Sequence, residues 1–257
     1  MARYCAQIEY DGTNYYGFQR QRDNQPTIQS ALEQALNQIV QHPVTVIGAG
    51  RTDSGVHATG QVISFDIEWR HGLTDLQRAL NANCPADIAI LQLNQTTTAF
   101  HPRFDARRRA YAYHIYNTAV RSPLRRYRSW HISQPLDVAV MNEAASCLLG
   151  VHDFATFGQP PQGNNTVREV FAARWQRQEE LVVFFIEANA FLQRMVRSLV
   201  GSMKAVGDGR WSIAEFEAAL NACDRRRSGA VAPAHGLYLV SVTYGEEQDE
   251  NIRNKTG

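Results

Sequence analysis

One carboxylate, one guanidinium and one imidazole stand among four glycines in Gly48-Ala-Gly-Arg-Thr-Asp-Ser-Gly-Val-His-Ala-Thr-Gly-Gln-Val62. Glycines 48, 50, 55 and 60 permit positive φ and close approach of another chain. A loop of this kind can hold Asp53 rigidly against a ligand, with Arg51 beside it. The plain alternative is turn chemistry, in which Asp53 bonds its own backbone two residues on. The loop offers a single carboxylate, whereas glycoside hydrolysis needs two. Apolar, β-branched runs flank it, Val44-Thr-Val-Ile47 before and Val62-Ile-Ser-Phe65 after, so a sheet is expected to carry the loop.

Other side chains with chemical potential lie far along the chain. Arg109-Ala-Tyr-Ala-Tyr-His-Ile-Tyr-Asn117 alternates as a strand, with Tyr111, Tyr113 and Ile115 on one face. Phe191-Leu-Gln-Arg-Met-Val-Arg-Ser-Leu-Val-Gly201 is read as part of a helix whose apolar face leaves Arg197 to one side. Taken alone, Tyr111 reads as core and Arg197 as a solvent-facing cation. Arg103, Arg107, Arg108, Arg109, Arg121, Arg125, Arg126 and Arg128 fall in one stretch with Asp105 as its only acid. Such a run tracks a phosphate backbone or forms a solvated face. His57, His101 and His152 lack metal-ligand spacing and read as hydrogen-bonding scaffold. Cys5, Cys84, Cys147 and Cys223 are scattered with no C-x-x-C pair, which predicts reduced, mostly buried thiols and neither disulfides nor zinc.

The composition is that of a globular protein: 257 residues, 44% hydrophobic, 20% charged, net charge +1. No run reaches membrane-span length and the first residues lack a signal-peptide core, so a cytoplasmic location is expected. The elements that must position the chemistry follow in order. A strand at 3–10 leads to a polar, aromatic loop, Tyr10-Asp-Gly-Thr-Asn-Tyr-Tyr-Gly-Phe-Gln-Arg-Gln21, and Pro26-Thr27 opens a helix. Strands at 44–47 and 62–67 flank the glycine loop. A helix from Thr74 with Gln77 as capping box and a strand at 87–93 complete β-α-β-β-α-β, the ferredoxin-like order. A basic linker precedes the strand at 109–117. Then come a helix at 137–149 capped by Gly150, strands at 167–178 and 181–189, a helix at about 190–206, a short helix capped by Ser212 with Glu215, and a last strand at 236–244. The organisation predicted is α+β, with an N-terminal half at 1–105, a C-terminal half with insertions at 106–245, and a disordered polar tail at 246–257.

Gly50-Arg-Thr-Asp-Ser-Gly-Val-His-Ala58 resembles the signature loop of the tRNA pseudouridine synthase A family. Asp11-Gly-Thr-Asn-Tyr15, Gly150-Val-His-Asp-Phe154, the R-x-Y-x-Y strand from Arg109, and Ala232-Pro-Ala-His-Gly-Leu237 resemble its other motifs. The likeness runs from about residue 4 to 244. Phe18 stands where the family usually has Trp, keeping an apolar ring and losing the indole N–H. The resemblance implies two ferredoxin-like halves joined into one mixed, largely antiparallel sheet, with helices on one side, an RNA cleft between the halves, and a homodimer. It implies an isomerase that converts uridine to pseudouridine at positions 38, 39 and 40 of the tRNA anticodon arm, with no cofactor and no metal. By residue it implies Asp53 as nucleophile, Arg197 as its salt-bridge partner, Tyr111 stacked on the uracil and Leu237 packed against the base. Arg51 would fill the gap left by the flipped base or bind the flanking phosphate. Arg103, Arg107, Arg108 and Arg109 are the expected RNA-binding residues of that run. A catalytically silent RNA-binding module, or a synthase for another RNA, would share the fold. A zinc nucleobase deaminase would need H-x-E and P-C-x-x-C, which are absent from the sequence.

Overall fold

The computed structural model describes residues 1–23 and 25–245; the expected disordered tail, 246–257, lies outside the described residues. Among these residues the fold is α+β, with ten strands and five α-helices. The chain packs as two units. The first is Met1–Arg107 together with the chain from Leu239, and the second is Arg108–Tyr238.

The first unit runs β1 (Ala2–Tyr10), α1 (Ile28–Val40), β2 (Ile47–Gly48), β3 (His57–Ile67), α2 (Leu73–Asn83) and β4 (Ile88–Thr96). Its strands pair in the order β4-β1-β3, and β3 also meets β2 and β10 (Leu237–Thr243). β1 is antiparallel to both neighbours, with Tyr4 opposite Phe65 and Ala6 opposite Leu93. Gly60 lets β10 approach, since a Cβ there would lie 2.0 Å from the Val240 carbonyl oxygen. Cys5, Ala49, Val62, Phe100 and Tyr244 close a small core at this end. The Tyr244 hydroxyl donates to the Pro102 carbonyl at 2.8 Å.

Two expectations fail here for tertiary reasons. The strand expected at 44–47 shrinks to the two residues of β2, because the Val46 N–H donates to the buried Glu33 carboxylate at 3.1 Å instead of to a neighbouring strand. α2 has Gly72 as N-cap and no side-chain cap; Gln77 turns its amide to the carbonyls of Ile90 and Leu91. By contrast, Thr27 caps α1 in a reciprocal box with Ser30.

The second unit runs β5 (Arg108–Asn117), β6 (Trp130–Ile132), α3 (Val138–Ser146), β7 (Gly150–Asp153), β8 (Val167–Gln178), β9 (Leu181–Ala188), α4 (Met195–Gly207) and α5 (Ile213–Asn221). Its strands pair β5-β9-β8-β7 antiparallel, while β6 runs parallel to β5, so the pairing is mixed. α3 stops at Cys147, short of the predicted 149, and Gly150 (φ +91) begins β7 in place of capping the helix. The residues between tighten into turns, Leu148 N–H to Ala145 and Leu149 N–H to Ser146. α4 starts at Met195 and not near 190, because Gln193 bridges to Gln159 and Arg194 adopts a left-handed φ of 64°. It is buried nearly all round, its serines 198 and 202 included, and so lacks the solvent face that the helical pattern predicts. Ser212 and Glu215 cap α5 reciprocally, as the sequence predicts.

The thiols also differ from expectation. Only Cys5 is buried, Cys84 and Cys147 are intermediate, and Cys223 is exposed. Burial pushes Cys5 up to about 12 and Cys84 up to about 11. Among the described residues no cluster of His, Cys, Asp or Glu could hold a metal ion, and no helix is long and apolar enough to cross a membrane.

Candidate active site

In the first unit the glycine loop leaves β2 and re-enters the sheet at His57. Its tip is a four-residue turn in which the Val56 N–H donates to the Asp53 carbonyl at 3.1 Å. Gly55, in the third position of that turn, has φ +76, which a side chain would strain. The main chain closes this turn. Asp53 itself is half-buried and Arg51 beside it is exposed.

Three sets of contacts hold the loop. The amide of Gln61, wholly buried on β3, clamps Gly50: its oxygen accepts the Gly50 N–H at 3.1 Å and its nitrogen donates to the Gly50 carbonyl at 2.8 Å. The Tyr10 hydroxyl, at the end of β1, shares a buried 2.8 Å hydrogen bond with Thr52, next to Asp53. Tyr15 receives the Gly55 N–H and the Ser54 hydroxyl at its carbonyl oxygen, while its own hydroxyl donates to Asp87 at 2.5 Å. The Asp11-Gly-Thr-Asn-Tyr15 segment therefore braces the glycine loop from outside. Gly12 and Gly17 make that possible, since a Cβ would meet the Val56 carbonyl oxygen at 2.0 Å or the Thr52 carbonyl oxygen at 2.7 Å.

His57 belongs to the same brace. Its Nδ1 lies 3.1 Å from the Gly12 N–H and 3.0 Å from Asp11 Oδ1. One nitrogen cannot accept from the first and donate to the second together. The neutral ring accepting from Gly12 is favoured: it satisfies a buried main-chain donor, and Asp11 Oδ1 already accepts from Thr13 N and Oγ1.

Nothing in the sequence marks Gln61, which stands directly before the apolar run Val62-Ile-Ser-Phe65. Its deletion has a definite expectation. Gln61→Met keeps the side-chain length and removes both partners of Gly50, so unfolding free energy falls by about 1–3 kcal/mol. Urea denaturation of the variant against the parent measures this.

The second unit presents a separate group. Tyr111, on β5 opposite Ile186 of β9, is 8% exposed, and its ring meets Phe191 edge-on at 4.9 Å between centroids. Arg197 lies in the first turn of α4. Its Nε donates to the Ala232 carbonyl at 2.8 Å, and the Ala232 N–H returns a bond to the Arg197 carbonyl at 3.0 Å. The segment carrying Ala232 lies flat on α4 because Gly201 leaves room; a Cβ there would stand 1.6 Å from the Ala230 carbonyl oxygen. Arg197 is thereby fixed by its backbone and by one of its nitrogens. Its charge is felt by two neighbours, opposing burial at Tyr113 and adding to burial at His235, whose imidazole is held below its ordinary range. The buried Tyr113 hydroxyl, pushed upward by burial, donates to the Pro233 carbonyl at 2.8 Å. Leu237 follows this segment and is 6% exposed. Gly236 packs on the Tyr113 ring, 2.6 Å from where a Cβ would sit.

Tyr111, Arg197 and Leu237 thus share the second unit, while Asp53 and Arg51 share the first. Asp153 holds a turn: it accepts from the Ala155 N–H at 2.9 Å, and a hydrogen bond from Thr166 keeps its carboxyl below the usual range. The arginine run is divided. Arg103 and Arg107 lie in the first unit, Arg108 and Arg109 in the second. Arg108 is paired with Glu187 at 2.9 Å and lies over the Phe171 ring, and Arg109 donates to the Asn189 carbonyl.

The chain as a whole is similar to known proteins over most of its length. The family model described as tRNA pseudouridine synthase matches residues 6–105 and 144–245. A tRNA pseudouridine synthase A of Xanthobacter autotrophicus is 45% identical over 247 residues, 95% of this chain and all of the relative. One from Beijerinckia indica is 43% identical over 97% of this chain and 96% of the relative. One from Rhodospirillum rubrum is 41% identical over 96% and 89%. The braced aspartate loop and α4 fall inside the spans of the family model, β5 with Tyr111 lies between them, and this chain belongs to the tRNA pseudouridine synthase family.

Proposed function

We propose that this chain isomerises uridine to pseudouridine at positions 38, 39 and 40 of the tRNA anticodon arm, with Asp53 as the nucleophile. The observation that carries the reading is the brace around Asp53. Gln61, Tyr10, Thr52 and Tyr15 hold the backbone on either side of a carboxylate in a family whose relatives are named for this reaction. Rigid placement of one reactive group is what a rearrangement within a single bound nucleotide demands.

The reaction breaks N1–C1′, turns the base and forms C5–C1′. The C5 proton leaves and N1 gains one, so atoms balance with no outside donor of groups or electrons. Asp53 attacks C1′, adds to C6, or removes a sugar proton; all three need it ionised. Arg197 is the cation proposed to keep it so. Tyr111 is proposed to stack on the extruded uracil, with its hydroxyl or a held water receiving the C5 proton. Leu237 closes on the base and Arg51 serves the strand it leaves. The protein acts as a homodimer in the cytoplasm.

The test is tritium release from a tRNA transcript labelled at uridine C5, with purified protein and no added cofactor. Release confined to the anticodon arm is expected. A tRNA that binds tightly and releases no tritium would point instead to a silent binding module.

A further inference from the structure

Between β5 and β6 the chain makes an excursion, Thr118–Ser129, that contains Arg121, Arg125, Arg126 and Arg128 and no acid. We infer that this excursion is a preformed seat for the sugar–phosphate backbone of the bound tRNA, with Arg121, Arg125 and Arg126 as its phosphate contacts. The inference rests on the tRNA-directed reading above and assigns it a surface separate from the residues placed at the uridine.

The excursion is pinned at its base. The Thr118 carbonyl meets His131 Nε2 at 2.9 Å, the Asn117 amide donates to the carbonyls of Ile132 and Gln134, and the Tyr238 hydroxyl donates to the Arg128 carbonyl at 2.9 Å. Within it, the Arg125 carbonyl collects the Arg128 and Ser129 N–H groups and the Ser129 hydroxyl. The backbone is ordered, so little entropy remains to be lost on binding. Two of the cations are also set in place. The Arg125 guanidinium lies 5.3 Å over the Tyr116 ring, and that of Arg126 lies 4.5 Å over Tyr127.

What this ordered frame presents is unusual. Leu124 is 93% exposed, Val120 75% and Tyr127 47%, all beside the arginines. Three exposed apolar side chains within one short acid-free excursion, interleaved with arginines, give it the make-up of a contact surface. A second copy of the chain is the first alternative. A two-fold contact centred here would set the patch against itself and bring the same cations together with no acid between them. A polyanion removes that conflict. Arginine forks fit phosphate oxygens, and the exposed Tyr127 ring and Leu124 offer apolar faces to ribose or an unstacked base.

The stretch Arg103–Arg109 is less suited. Arg108 is paired with Glu187 and Arg109 donates to the Asn189 carbonyl, so two of its four cations already have partners within the protein.

The test is the salt dependence of tRNA binding, by filter binding or fluorescence anisotropy from 50 to 300 mM KCl (a range wide enough to fix a slope), for the parent, Arg121→Ala/Arg125→Ala/Arg126→Ala, and the matching triple Lys variant. Each lost phosphate contact lowers the slope of log K against log salt by about 0.7–0.9. The Ala variant is expected to lose about 2 units of slope with an unchanged melting temperature, and the Lys variant to retain most of it. An unchanged slope in the Ala variant overturns the inference. An unchanged slope with a shift to monomer in sedimentation assigns the patch to a second copy. The parent's tritium release is assayed alongside: its absence would defeat the enzymatic reading, whereas release with an unchanged slope would defeat only this one.

Discussion

Asp53→Asn is expected to abolish tritium release while tRNA binding stays within about twofold of the parent. The substitution is isosteric and the turn that carries residue 53 is closed by main chain, from Val56 N–H to the residue 53 carbonyl, so the loop keeps its shape. What disappears is the negative charge and the electron pair that every version of the mechanism uses. Loss of a covalent nucleophile costs at least about 10³-fold in the chemical step. The measurement is single-turnover release with enzyme in excess, which excludes slow product dissociation as the cause. A rate within tenfold of the parent would remove Asp53 from the reaction. Asp53→Glu separates charge from position: it restores the carboxylate but displaces it by about one methylene, and a misplacement near 1 Å costs about 10²-fold. The expected order of rates is Asp, then Glu, then Asn. A Glu variant as slow as Asn would say that the brace tolerates no displacement at all.

That brace explains what could be read from sequence and what could not. The candidate side chains were legible only through the likeness of their motifs to a known family: taken alone, Asp53 among its glycines reads as turn chemistry, Tyr111 as core and Arg197 as a solvent-facing cation. Long elements were legible where periodicity is undisturbed, as in β8 and β9, or where a cap is local, as at Ser212 and Glu215. The differences occur where a distant residue competes for a backbone group. Glu33 takes the Val46 N–H and reduces a strand to two residues. Gln77, spaced as a capping residue, reaches β4 instead. The start of α4 is set by the Gln159–Gln193 bridge, which no helical period records. The groups that hold Asp53 are of this kind too. Tyr10, Tyr15 and Gln61 read as ordinary strand, loop and core residues, and their role exists only through contacts made across the fold. The arginines show the converse: one run in sequence becomes some paired cations on two units and one acid-free excursion on the second.

Arg197 carries the second large effect, and its variants distinguish holding a fold from holding a charge. Its Nε bond to Ala232 helps dock the 230–233 segment on α4, so any replacement is expected to lower the melting temperature modestly. That alone would not alter how activity depends on pH. If Arg197 keeps Asp53 ionised, Arg197→Met removes a stabilising cation from the carboxylate, whose pKa must rise. Activity requires the ionised form, so the acidic limb of kcat/KM moves to higher pH, and the variant recovers part of its loss as pH increases. Arg197→Lys keeps a unit charge and loses the planar fork that lets one nitrogen bond Ala232 while the others face elsewhere. It is expected to lose about 10²-fold in kcat, from misplacement of the charge, while its acidic limb stays near the parent's. A limb that does not move in Arg197→Met, with activity reduced in proportion to the fraction unfolded, would make Arg197 a residue of the scaffold. A limb that moves in Met and not in Lys follows the charge, because a lost bond to Ala232 alone would lower stability without moving the limb.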